Sequence, residues 1–253
     1  MLMERNHIMA DRRAFTLLEL IVVIGIIVLL LGIMAPGLSR VWYVANVDIC
    51  YNNIHQLSLG WMAYMSDNDG YIVQGSTRRN QYDWAKWGTE TPSNPDRYWL
   101  ITSGTLYPYV GDVKVYLCPT DPMSHIRSYS VTSIMNGYDW GGLPYITRYG
   151  TIKEPATEIV FVEEKDRRSS SNMGTFAQDP KCWNKNRWVD YVANFHEGWD
   201  NIGFADGHAE HWQWTDPRTL DASAKEQFFY PDNGNPDLQR LRKSMFNKMP
   251  GAC

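Results

Sequence analysis

Two sets of residues in this 253-residue chain have types and spacings suited to chemistry. The first is Glu19, one turn inside an apolar run that follows Arg12-Arg13-Ala14-Phe15 and ends at Pro36. No other formal charge occurs between Glu19 and Arg40. An ionised carboxylate in such a run costs several kcal/mol unless something compensates it, so it is a functional residue by default. The second set lies far downstream. His196 is followed by nine residues and then Asp206-Gly207-His208, with Glu210 and His211 close behind. Imidazole with carboxylate suits zinc. In a strand, however, His208 and Glu210 share one face while His211 points to the other. At most three ligands then converge, and no HExxH or paired-cysteine pattern supports them. The simpler expectation is that Asp206-Gly207 makes a turn and His196 hydrogen-bonds it from a neighbouring strand.

Three further features carry chemistry at shorter range. Asp67-Asn68-Asp69-Gly70 resembles the start of a calcium loop, with Asp67 and Asp69 as ligands, but the twelfth position is Arg78 rather than a bidentate Glu. A helix stop is the simpler use of these residues. Four cysteines, Cys50, Cys118, Cys182 and Cys253, allow three full pairings. Cys50–Cys118 is a candidate if the segment Val113–Leu117 packs on the helix bearing Cys50, and a buried free thiol is the alternative. Finally, 11 Trp and 15 Tyr include Trp84 with Trp87, and Trp183 through Trp188. Exposed rings near Asn and Asp suit sugar faces, whereas buried ones fill a loop-rich core.

The elements that must position these residues are legible in outline. Leu20 to Ala35 alone span roughly 24 Å as a helix, and adding Phe15–Leu18 reaches a bilayer core of about 30 Å. Val47, Cys50, Ile54, Leu57, Trp61 and Tyr64 then recur at spacings of three and four, one apolar stripe on a helix. A single helix from Phe15 to about Ser66, near 78 Å long, is expected, apolar all round in its first half and one-sided in its second. Strands are expected at Tyr71–Val73, Val113–Leu117, Tyr129–Ile134, Glu158–Glu163, Val189–Phe195, Asn201–Ala205 and His208–Trp214. Asp206-Gly207 is the hairpin turn between the last two. Asp216-Pro217 and Asn235-Pro236 each read as an N-cap followed by Pro at the first helical position. Helix first, sheet next and short helices last make an α+β chain.

The N-terminal residues resemble type IV pilins and type II secretion pseudopilins. That resemblance implies cleavage between Ala14 and Phe15 by a prepilin peptidase, N-methylation of Phe15, Glu19 as the fifth mature residue, and Pro36 as a helix-bending proline. Ala14 departs from the Gly usual before the cut. A second resemblance is to pilin-like proteins with a C-terminal H-x9-DG segment, carried by His196 with Asp206-Gly207. Cys50-Tyr51-Asn52-Asn53, Cys118-Pro119, Ser128-Tyr129 and Glu163 match that group too. It implies no enzymatic activity.

Cleavage would place a cationic amine four residues from Glu19 on one helix face. In a filament, the carboxylate of one subunit could instead meet the amine of its neighbour, and such a buried pair would set axial register. Arg12 and Arg13 keep the leader cytoplasmic. The expected organisation is therefore a leader over 1–14, a membrane or filament-core helix over 15–36, and an exported domain over 37–253. A net charge of −4 argues against nucleic-acid binding. The resulting expectation is a non-enzymatic subunit in the inner membrane, with its C-terminal domain periplasmic or in an extracellular filament. Other pilin subunits and the peptidase are its partners, and no cofactor is needed unless Asp67 and Asp69 take calcium. The alternatives are a displayed polysaccharide-binding module and a tethered metallohydrolase using His196, Asp206 and His208.

Overall fold

The computed structural model describes residues 15–77, 82–88, 93–122, 126–137, 145–165, 174–179 and 187–246. Ala14, Cys182, Trp183 and Cys253 lie outside them. The chain divides into two compact units, Met1–Val44 and Ala45–Cys253.

In the first unit the helix α1 (Leu17–Asp67) begins. Its start is a reciprocal cap. The Glu19 amide donates to Thr16 Oγ1 at 3.2 Å, while the Thr16 amide donates to Glu19 Oε2 at 2.9 Å. Two amides that a helix N-terminus leaves unpaired are satisfied this way. Thr16 is spent as the cap, so the helix opens at Leu17 rather than at Phe15. The segment Leu17–Ala35 has a mean hydropathy of 3.1 and exposed side chains throughout, and by length and composition it can cross a membrane.

In the second unit α1 buries one stripe. Cys50, Ile54, Leu57 and Trp61 are fully buried, with Asn53 and Ser58 beside them, while Val47 and Tyr64 at its ends are half-buried. The helix stops as the sequence chemistry requires. The Gly70 amide bonds back to the Met65 carbonyl at 3.0 Å, and Asp69 (φ 51°) and Gly70 (φ 77°) are both left-handed. Asp69 therefore closes the turn along with the expected glycine.

The stripe faces a five-stranded sheet. Its strands are β1 (Tyr129–Thr132), β2 (Ile159–Glu163), β3 (Thr175–Phe176), β4 (Trp199–Phe204) and β5 (Ala209–Gln213), in the order β3-β1-β2-β4-β5. All pairings are antiparallel except β1 with β3. An irregularity between Ile159 and Phe161 in β2 turns the two to different sides. Phe161 joins the core under α1, and Ile159 joins a second core on the opposite face. That second core is closed by α4 (Pro217–Lys225) and α5 (Pro236–Met245), through Ala222, Leu238, Leu241 and Met245. Asp216 and Asn235 cap these helices as expected, each accepting amide hydrogen bonds ahead of a first-turn proline. The arrangement is α+β and pilin-like: a long N-terminal helix on a mostly antiparallel sheet, with short helices behind it. Two four-residue helices, α2 (Trp99–Thr102) and α3 (Tyr107–Val110), lie in the connection from α1 to β1.

Three expected strands are not strands. Val113–Tyr116 is a short 3-10 helix, because the Asp112 carboxylate accepts from the Lys114 amide at 2.9 Å and caps a turn there. Val189–Phe195 is irregular, because nearby carboxylates take amides that a ladder would use. The Asn194 amide goes to Asp200 Oδ2 at 3.1 Å, and Asn194 itself is left-handed at φ 54°. Tyr71 makes only an isolated bridge, to Arg148. Conversely, the two residues of β3 are too few to show a period in sequence.

Candidate functional site

The N-terminal segment carries the residues that the sequence assigns, as an expectation, to processing and assembly. Phe15 is 81% exposed and Glu19 is exposed beside it. Glu19 Oε2 also accepts from Thr16 Oγ1 at 2.9 Å. Glu19 thus serves as a helix cap, a use that a simple membrane anchor would also have. Helix α1 runs through Pro36.

The second unit holds a buried polar cluster between α1 and the sheet. Cys50 on α1 forms a disulfide with Cys118, with Cα atoms 4.9 Å apart and a sequence separation of 68. Cys118 follows the 3-10 turn, not a strand. Against its sulfur lies His196, 1% exposed, with Nε2 at 3.6 Å. The same Nε2 is 3.1 Å from Glu163 Oε1 and 3.3 Å from Asn201 Nδ2, and Nδ1 is 3.2 Å from Thr120 Oγ1. Glu163, the last residue of β2, is fully buried and accepts from the Asn201 amide at 3.1 Å and from Asn201 Nδ2 at 2.9 Å. Asp200, the residue before Asn201 on β4, accepts from Trp214 Nε1 at 2.7 Å. Burial pushes the Asp200 carboxyl well above the usual range, and the Glu163 charge pushes it further, against the donors from Asn194 and Trp214. Tyr129, whose hydroxyl donates to the Cys50 carbonyl at 3.3 Å, is likewise raised, first by burial and then by Glu163.

The other half of the H-x9-DG segment lies elsewhere. Asp206-Gly207 is the β4–β5 turn, with Gly207 at φ 94° and the His208 amide donating to Asp206 Oδ1 at 3.2 Å. A Cβ on Gly207 would also approach Met62 Sδ to 2.8 Å, so two constraints select glycine there. His208 pairs through Nδ1 with Asp206 and stacks on Phe204 with ring centroids 4.4 Å apart. His196 does not bond this turn, as the sequence suggested; its partners are Glu163, Thr120, Cys118 and Asn201. Asp206 and His208 pair with each other, so the three residues of the metallohydrolase alternative do not share a site. The spacing of nine instead spans one strand. It places a buried histidine before β4 and a tight turn after it. In sequence Glu163 stands out only as a match to the H-x9-DG group and Thr120 not at all, because the fold, not sequence spacing, brings them to His196.

Of the aromatic clusters, Trp84 and Trp188 are fully buried and belong to the two cores, whereas Trp87 is 45% exposed. A cleft of about 420 Å³ opens at the end of α1 instead. It is lined by Tyr64, Tyr71 and Tyr82 together with Asp67, Asn68, Asp69, Gln74 and Asn136. Both aspartates proposed for calcium line it and are exposed.

Compared with known families, residues 9–35 match the prokaryotic N-terminal methylation motif. No curated protein and no solved structure matches the chain. The motif, with the apolar helix it overlaps, supports a type IV pilin-like protein.

Proposed function

We propose that this chain is a structural subunit of a type II secretion-like pseudopilus or a type IV pilus-like filament. In this account a prepilin peptidase cuts between Ala14 and Phe15, and the mature chain waits in the inner membrane with its C-terminal domain exported. The observation that carries it is the methylation motif over residues 9–35, which overlaps the exposed apolar stretch Leu17–Ala35, whose one acid is Glu19. Before assembly Glu19 caps its own helix. In the filament it would exchange Thr16 for the new Phe15 amine of a neighbouring subunit. An uncompensated charge in the apolar bundle would be costly, so the exchange selects one axial register. The test is Glu19→Ala in cells that carry the assembly machinery. Processing should proceed, while the amount recovered in sheared filaments should collapse. Incorporation equal to the unaltered chain would refute the pairing role.

A second role is favoured by the cleft. Three tyrosines among carboxylate and amide side chains match the pattern with which proteins hold sugars, apolar rings against sugar faces and polar groups for the hydroxyls. On this account the filament displays a polysaccharide-binding surface, through the cleft at the end of α1 rather than through Trp84 or Trp188. Retention on insoluble glycans that falls with Tyr82→Ala supports it, and no retention of the unaltered chain sinks it.

A further inference from the structure

We infer that Cys50, Cys118, His196 and Glu163 form a zinc site in the reduced chain, and that the disulfide is the state oxidation leaves behind. The four donor atoms all lie within 4.8 Å of one another, and all four residues are buried. Two thiolates, one imidazole and one carboxylate are a complete tetrahedral set for zinc.

A disulfide alone explains none of the surroundings. It needs no histidine and no acid, and burying both costs free energy unless each is fully partnered. Here they are held as metal ligands are held, by outer partners that aim them inward. Thr120 Oγ1 meets His196 Nδ1 at 3.2 Å; with Nδ1 as the donor, Nε2 turns its lone pair toward Cys118 and Glu163. The amide and Nδ2 of Asn201 fix the Glu163 carboxylate at 3.1 and 2.9 Å. Nε2, Oε1 and the two sulfurs then lie close enough together for one cation to bind all four.

The cysteines leave the ribosome as thiols, so capture needs no reductant. Zinc binding displaces two thiol protons to solvent. Oxidation runs the other way. A disulfide-bearing oxidant accepts two electrons and, with two protons, becomes two thiols, while the Cys50 and Cys118 sulfurs join and zinc is released. The site would therefore hold the fold while the cysteines are reduced, and the cross-link would hold it once they are oxidised.

The test uses the full chain in detergent, with Cys182→Ser and Cys253→Ser to remove the other thiols. One sample is oxidised and one is reduced with a phosphine in denaturant and refolded in detergent; each is exposed to Zn²⁺, desalted and analysed for metal. The reduced chain should keep about one zinc per molecule and the oxidised chain none, as expected for a single four-ligand site. Co²⁺ in place of Zn²⁺ should give the thiolate-to-metal absorption of a tetrahedral site. His196→Gln and Glu163→Gln should weaken zinc binding at least tenfold, and Thr120→Val by about 10–100-fold, the range for an outer partner. A reduced chain that keeps no zinc, or an oxidised chain that keeps as much, overturns the inference. So does unchanged affinity in both ligand variants. Where a variant fails to fold, the comparison of the two redox states decides alone.

Discussion

Breaking the Cys50–Cys118 bond should cost the second unit a large part of its stability. The bond joins positions 68 residues apart. In the chain-entropy account, closing a loop of that length removes about 4.4 kcal/mol of unfolded-state freedom at 25 °C. For a unit of roughly 200 residues, unfolding entropy near 2.1 cal/mol/K per residue makes that about 10 °C in Tm. Reduction is a cleaner perturbation than substitution, since it removes no atoms from a site where Cys50 is 0% and Cys118 is 1% exposed. The cavity penalty that accompanies large-to-small replacements is therefore absent. The sulfurs are buried, so the chain is reduced in denaturant and refolded in detergent with a chelator present. Thermal unfolding of the reduced and oxidised chains is followed by tryptophan fluorescence. A fall of about 10 °C is expected, from the loop entropy alone. A fall below about 3 °C would show that the loop is already restrained when unfolded, and would refute the entropic reasoning.

Three other outcomes follow from named contacts. Thr16→Ala removes the hydroxyl that caps the Glu19 amide but leaves the acid, so it should loosen the helix start by about 1 kcal/mol without blocking filament assembly. Loss of assembly equal to that of Glu19→Ala would make the cap, not the acid, the working part. Gly203→Ala would put a Cβ 2.3 Å from Ser58 Oγ, where α1 meets β4. It should destabilise by about 1–3 kcal/mol in urea titrations, and Ser58→Ala should recover part of the loss; an unchanged midpoint would contradict the close approach. Asp200, raised by burial and then by Glu163, binds its proton more tightly folded than unfolded. Its contribution is complete below the unfolded carboxyl value and is lost as pH rises through the folded one. Unfolding midpoints of the unaltered chain should carry that declining component from about pH 4 upward, and Asp200→Asn should flatten it. Identical pH profiles would sink this assignment.

The parts of the fold that were legible are those written in local periodicity. The stripe from Cys50 to Trp61, the Asp206-Gly207 hairpin and the two proline-led helices each declare themselves within a few residues. Glu19 was legible only in part. Thr16-x-x-Glu19 is a capping pattern, but an acid in an apolar run draws attention to its charge and hides its hydrogen bonds. Val113–Tyr116 and Val189–Phe195 alternate or run apolar like strands, and side chains of Asp112 and Asp200 divert their amides into turns. The cluster around His196 was illegible for a different reason. Glu163 and Cys118 are 33 and 78 residues from it in sequence; sheet pairing brings Glu163 to it, and the disulfide to α1 holds Cys118 there. The aromatic count left core and binding surface open; Trp84 and Trp188 take the core reading, while the cleft tyrosines are scattered along the chain.

The central claim concerns how the chain is delivered, and the mature N-terminus tests it most directly. The chain is isolated from a host that carries a prepilin peptidase and its N-terminal peptide is read by mass spectrometry. The account predicts N-methylated Phe15 as the first residue, with residues 1–14 removed. A chain that still starts at Met1, or one cut near Pro36, would contradict it.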